Sequence, residues 1–287
     1  MKLLYINVAV FALIAVFSIL GFLFQLDLYT TGSGVKQLFI TEYLSANSDP
    51  ILLLKRPWTI ITYMFTHEGL WHILVNMLIF YYIGNIFSDL LGNQRVLPLY
   101  IFGGVAGLLL YVLSFNLIPA FGSARLPIIG ASASVLAIMV ATATYVPNYP
   151  IRLMLLGTVA LKYIAAFYVV IDLLALRGTS GNLGGHIAHL GGAIFGFIYA
   201  RQLTKGNDLG KYFYLIVNSF KGLFQSKPKV KVVHKEKSKT SKNTTGKKSS
   251  SDDYQKRVDE ILDKISKSGY QKLTQEEKDF LFNASKR

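Results

Sequence analysis

Over the first two hundred residues, long apolar stretches alternate with short polar breaks. The stretches run roughly 4–25, 66–90, 96–115, 129–146, 151–176 and 184–203. Each comes close to the ~20 residues a helix needs to cross the hydrocarbon layer of a bilayer, the fourth being short. The pattern predicts six transmembrane helices. The first stretch reads as a retained span rather than a cleaved leader, because its apolar run exceeds a signal peptide's and no small-x-small site follows it. The connection from about 26 to 65 contains ILLLKRPW (51–58), apolar residues abutting Lys55, Arg56 and Trp58, a mixture that suits a segment lying at the membrane interface.

Beyond residue 203 the pattern changes twice. Residues 204–226 include YFYLIVNSFKGLF, apolar and aromatic but too short to span, and are expected to lie against the membrane. Residues 227–251 are Lys-, Ser- and Thr-rich and read as a solvated linker. From 252 on, Val258, Ile261, Leu262 and Ile265 recur at helical spacing, Ser268-Gly269 marks a stop, and Thr274 with Glu277 forms a capping box ahead of Phe280, Leu281 and Ala284. The predicted organisation is therefore a membrane domain (1–203), a juxtamembrane segment with a basic linker (204–251) and a helical hairpin (252–287).

Composition agrees with that division. The chain is 52% hydrophobic and only 16% charged, too apolar to hide its surface in one soluble core. Lys and Arg outnumber Asp and Glu by only 9 to 6 up to residue 200 but by 21 to 10 beyond it, so +11 of the net +14 lies in the last third. An even number of spans puts both termini on one side, and the basic tail makes that side cytoplasmic. Its lysines are expected to be drawn to anionic lipid. Charge without interleaved aromatics or a recognisable module gives no reason to expect nucleic acid. Cysteine is absent, which excludes disulfides, thiolate nucleophiles and cysteine metal sites.

With the termini inside, the second, fourth and sixth spans all run from outside inward, and their outer ends carry the chain's polar surprises. The second opens with THEGLWHILVN, which puts His72 and Asn76 four apart on one helical face. The fourth opens with IIGASAS around Ser132, and the sixth with GGHIAHLGG, which carries His186 and His189. Polar groups at membrane depth are costly and normally face a bundle interior or a wet cavity. A serine, an asparagine and histidines at one depth on three helices point to nucleophilic acyl transfer. A histidine would activate the serine hydroxyl, and amide, imidazole and helix N-terminal N–H groups would receive the oxyanion, with no aspartate required. A metal centre is the rival chemistry: His186 and His189 stand i, i+3 and could share an ion with His72, but His67, Glu68 and His72 miss the HExxH spacing.

HILVN (72–76), GASA (130–133) and HLGGAIFG (189–196) resemble the rhomboid intramembrane serine proteases over roughly residues 56–203. The resemblance implies an all-α integral membrane fold, a six-helix rhomboid-like bundle to which a small cytoplasmic hairpin is appended. It also implies Ser132 as nucleophile and His189 as base, with His72, Asn76 and the Ser132 backbone N–H as oxyanion donors and no cofactor. His189 is preferred to His186 because Gly192 and Gly196 follow it at the family's third and seventh positions. Their GxxxG step would let the sixth helix approach Ala133 and Ala137 of the fourth. The substrates implied are transmembrane helices of other proteins. The hairpin resembles a tail appended in one bacterial subgroup, which implies a bacterial inner membrane. Two departures stand out: Ala133 replaces the usual glycine after the serine, and the family's Trp-Arg pair in the first loop is matched only by Arg56-Pro57-Trp58. Ala133 keeps open a second reading, a relative that binds membrane clients with little or no cleavage. Ser134 is the weaker nucleophile candidate, about 200° round the helix from Ser132.

Overall fold

A computed structural model describes residues 2–30, 37–121, 126–153, 157–177, 181–224 and 250–284. Most of the basic linker expected at 227–251, up to residue 249, lies outside the described residues. The chain divides into two compact units, Met1–Ser226 and Lys227–Arg287. The helices of the first are α1 (Lys2–Leu23), α2 (Phe39–Leu44), α3 (Pro50–Lys55), α4 (Thr59–Thr62), α5 (Leu70–Leu91), α6 (Val96–Leu117), α7 (Ser132–Tyr145), α8 (Leu161–Ala175), α9 (Leu183–Thr204) and α10 (Gly210–Phe224). The second holds α11 (Ser250–Ser268) and α12 (Gln275–Ala284).

The first unit is an all-α integral membrane bundle. Among the described residues α1, α5, α6 with its leading turn, and α9 are long and apolar enough to cross a membrane. The predicted fourth span is α7, whose 14 residues reach about 21 Å at 1.5 Å per residue, short of a ~30 Å hydrocarbon layer. The predicted fifth span needs correction. Residues Pro150–Leu153 pair antiparallel with Gly157–Ala160, and the helix begins only at Leu161. Gly157 adopts φ +73°, a backbone conformation that suits glycine, and β-branched Thr158 and Val159 favour the extended chain that follows. An apolar run does not by itself tell strand from helix.

At the centre stands α7, with ten of its 14 residues buried. In lipid there is little hydrophobic force between helices, so small residues that bring backbones together do the packing. On α9, a Cβ added at Gly192 would fall 2.1 Å from the Ala133 carbonyl oxygen, and one at Gly196 2.2 Å from that of Ala137. From the other side α6 presents Gly103 beneath the Ala137 methyl and Gly107 beneath the Ala133 methyl. The alanine after the serine is thus received by a glycine of the neighbouring helix.

The rest of the unit braces this centre. Arg56 pairs with Glu42 at 3.3 Å and lies over the Tyr43 ring, while the Trp58 indole donates to the Tyr43 carbonyl. The segment 51–58 is therefore the body of α3 and the turn that leads into α4, pinned to α2. At the far end of α9, Asp208 accepts from Arg95 at 2.6 Å, from the Tyr199 hydroxyl at 3.1 Å and from the Gly210 N–H at 2.8 Å. Burial pushes the Asp208 carboxyl up, but these three donors outweigh it and hold the group below the usual carboxylate range. Helix α10 follows, too short to span, its Phe213 ring against Phe102 and its Tyr214 hydroxyl donating to the Gln94 carbonyl.

In the second unit α11 and α12 form a hairpin through Gly269 at φ +79°. Among its described residues Ile261 and Leu273 are buried. The predicted capping box is formed: the Thr274 N–H donates to Glu277 at 2.8 Å and the Glu277 N–H to the Thr274 hydroxyl at 3.3 Å. Lys264 of α11 pairs with Glu277 at 2.7 Å.

Candidate active site

Three helices, α5, α7 and α9, begin at one end of the bundle, and the start of α7 is held from several directions. Pro127–Ile128 pair antiparallel with Ala46–Asn47. The next turn is made by Gly130 at φ +116°, where a side chain would be strained and where a Cβ would meet the His72 ring at 2.7 Å. The Gly130 N–H donates to the Tyr63 carbonyl at 2.9 Å, and the Ala131 N–H to His67 Nε2 at 3.3 Å. Ser132 comes next as the first residue of α7, a position whose N–H has no partner within the helix.

His189 lies in the second turn of α9, three residues before the glycine that rests on Ala133. Its Nε2 stands 2.6 Å from Ser132 Oγ. Both side chains line a cavity of about 340 Å³ together with His72, Asn76, Trp71 and Tyr168. Asn76 is buried and donates one amide hydrogen to the His72 carbonyl at 2.9 Å, which leaves the other available. The four residues expected from the sequence therefore meet at one cavity. Ser134 does not join them: it is fully buried on the other side of α7, its Oγ 2.7 Å from where a Cβ on Gly104 would stand.

Two participants were given no catalytic role by the sequence reading. Asp172 of α8 is 4% exposed, and its Oδ1 lies 2.8 Å from His186 Nδ1 and 3.0 Å from His189 Nδ1. His186 thus faces the aspartate. His67, fully buried, takes up the Ala131 N–H, so it holds the loop that leads to the serine. The only sequence signal for either was an ionisable residue inside an apolar stretch.

The residues best disposed to hold a metal ion, among those described, are Asp172, His186 and His189, whose ligand atoms lie within 4.8 Å of one another. His72 is not in that group. A cation there would take the Nδ1 atom of His189 and leave the Nε2 facing the serine.

Residues 54–206, just over half of the chain, match the family model described as a rhomboid domain, and residues 250–287 match one described as a family of unknown function. The chain is 29% identical over 169 residues to Presenilin-associated rhomboid-like protein A, mitochondrial, of Danio rerio, covering 57% of this chain and 41% of that protein. It is 29% identical over 158 residues to RHOMBOID-like protein 12, mitochondrial, of Arabidopsis thaliana, covering 52% and 47%. To Presenilin-associated rhomboid-like protein, mitochondrial, of Homo sapiens it is 25% identical over 150 residues, covering 50% and 37%. The alignments thus span less than half the length of these relatives. Their names are mitochondrial and lend no support to the expected bacterial inner membrane.

Proposed function

The chain belongs to the rhomboid family, and on that premise we propose that it is an intramembrane serine endopeptidase that cuts transmembrane segments of other proteins. Ser132 is the nucleophile and His189 the general base. His72, Asn76 and the Ser132 backbone N–H receive the oxyanion. The observation that carries the reading is the 2.6 Å contact between His189 Nε2 and Ser132 Oγ inside a cavity that also exposes the His72 and Asn76 side chains.

In this mechanism a client helix unwinds into the cavity and offers a peptide carbonyl to Ser132. His189 removes the hydroxyl proton as Oγ attacks, and a positioned base of this kind contributes roughly 10²- to 10⁴-fold. The developing oxyanion is met by donors already in place, each worth roughly 10²- to 10³-fold in comparable sites. His189 then delivers the proton to the leaving amine, and water admitted to the cavity hydrolyses the acyl-enzyme by the reverse use of the same groups. No step calls on a cofactor.

The same proposal fixes the topology. The six crossings are α1 and α5 to α9. Arg201, Lys205 and Lys211 near the end of α9 put that end, both termini and the α11–α12 hairpin on the cytoplasmic side, with the cavity near the opposite face. The Lys-rich segment 227–251 adheres to anionic lipid on that side, so truncation at residue 226 should weaken binding to anionic vesicles and spare neutral ones.

The test is cleavage of a generic transmembrane substrate by the detergent-purified parent, Ser132→Ala and His189→Ala, each with and without a chelator. Loss of cleavage in both variants and indifference of the parent to the chelator are expected. Cleavage by Ser132→Ala would remove the nucleophile, and chelator-sensitive cleavage would favour a metal at Asp172, His186 and His189. A parent that captures substrate without cutting it would make the protein a client-binding relative.

A further inference from the structure

We propose that Asp172 is a positioning residue for the reaction, adding to the serine–histidine pair a carboxylate that orients the imidazole. This rests on the reading of Ser132 and His189 given above. The two nitrogens of His189 are engaged on opposite sides, Nδ1 at 3.0 Å from Asp172 Oδ1 and Nε2 at 2.6 Å from Ser132 Oγ. A carboxylate only accepts hydrogen bonds, so Nδ1 carries the proton and Nε2 presents its lone pair to the serine hydroxyl. That is the tautomer a general base requires. Without the carboxylate the ring is free to place its proton on Nε2, where it faces the serine as a donor and takes no proton from it.

The surroundings favour this role over a purely structural one. Only three residues of α8 are buried, Leu161, Ala165 and Asp172, spaced by four and seven along one face. Two of them are small or apolar packing residues, and the third brings a carboxylate to the reacting imidazole. The second oxygen, Oδ2, is buried without a hydrogen-bond partner among the described residues, so the carboxylate's hydrogen bonds go to imidazoles alone. His186 Nδ1 donates to the same Oδ1 at 2.8 Å and helps to hold the carboxylate in place. When His189 takes the serine proton it becomes a cation beside that carboxylate, so the charge formed during attack meets an opposite charge already oriented.

The experiment compares the full chain with Asp172→Asn, Asp172→Glu, His186→Ala and Ser132→Ala, reading kcat and KM, the rate of Ser132 phosphonylation by a fluorophosphonate, and the melting midpoint. Asp172→Asn should lower kcat by at least about a hundredfold with KM changed less than about threefold, and phosphonylation should slow in parallel. Asp172→Glu, which keeps the carboxylate, should recover part of the loss, and His186→Ala should cost less than Asp172→Asn. ¹⁵N NMR of the histidine-labelled parent should show His189, assigned by its loss in His189→Ala, protonated on Nδ1. Finding the proton on Nε2 would overturn the proposal even if Asp172→Asn fails to fold. So would Asp172→Asn at more than a third of parental kcat, or equal losses of kcat and melting midpoint in Asp172→Asn and His186→Ala. If Ser132→Ala still cleaves, the serine reading itself falls; if Ser132→Ala is dead and Asp172→Asn is fully active, only the aspartate's role falls.

Discussion

Two walls of the cavity are built in opposite ways. Where α9 meets α7, backbone rests on backbone: Gly192 and Gly196 lie against the Ala133 and Ala137 carbonyls with no room for a methyl group. Where α8 meets the site, three side chains of a 15-residue helix are buried, and one of them is Asp172. The first wall fixes the distance between Ser132 and His189. The second brings the Asp172 carboxylate to the imidazole and the Tyr168 side chain to the cavity. An error in the first is expected to reach fold and chemistry together, whereas most of the α8 surface should tolerate change.

The sharpest way to break this contrast is Gly192→Val. Its Cβ would press on the Ala133 carbonyl oxygen, which is rigid main chain, so a stability loss of at least about 3 kcal/mol is expected, together with near-complete loss of cleavage. Thermal melting and the cleavage assay would show both. If the variant melts like the parent, the contact between α7 and α9 is not the rigid wall described.

A smaller effect is expected on the α6 side. Gly107→Ala would place a methyl 2.6 Å from the Ala188 carbonyl oxygen and 2.8 Å from the Ala133 Cβ, at a cost of about 1–3 kcal/mol. Adding Ala133→Gly relieves one of those two contacts, so the double variant should regain part of the loss, while Ala133→Gly alone should cost about 1 kcal/mol for the void. A double-mutant cycle of melting midpoints measures the coupling. Strict additivity would mean that the two residues do not pack as seen.

On α8, Phe167→Ala and Leu174→Ala remove exposed side chains from the outer face. Stability should stay within about 0.5 kcal/mol and kcat within a fewfold. A large loss from either would make α8 as demanding as α9 and erase the distinction between the walls.

The smallest effect belongs to the clamp at the far end of α9. Because the folded state holds the Asp208 carboxyl below its ordinary range, the clamp stabilises at pH values above that range and its contribution fades as pH falls through the folded-state value. Asp208→Asn should therefore melt slightly below the parent at neutral pH, with the gap closing in acid and shrinking with added salt. A gap that does not change with pH would mean that packing rather than charge holds the clamp.

Periodicity and depth predicted the bundle and put His72, Asn76, Ser132, His186 and His189 at one level, because the three stretches that carry them begin at the same end; the choice of His189 over His186 came from the rhomboid resemblance. The strands Pro150–Leu153 and Gly157–Ala160 were hidden, since a mainly apolar run, interrupted by Arg152, carries the same hydropathy in either conformation. Asp172 went unassigned for a different reason: its bond to His189 joins two helices, and no pattern along the fifth stretch says which of its faces meets the sixth. His67 was weighed only as part of a near-miss metal motif, and its bond to the Ala131 N–H joins residues 64 positions apart, beyond the reach of local pattern.

The methyl of Ala133 nested over Gly107 also limits how parts of this scaffold can be exchanged. A serine-bearing segment transplanted from a homologue with glycine in that place would leave a methyl-sized hole beside α6. The reverse graft, into a host lacking a glycine there, would wedge two rods apart by the width of one carbon. Chimeras should swap both pieces or neither.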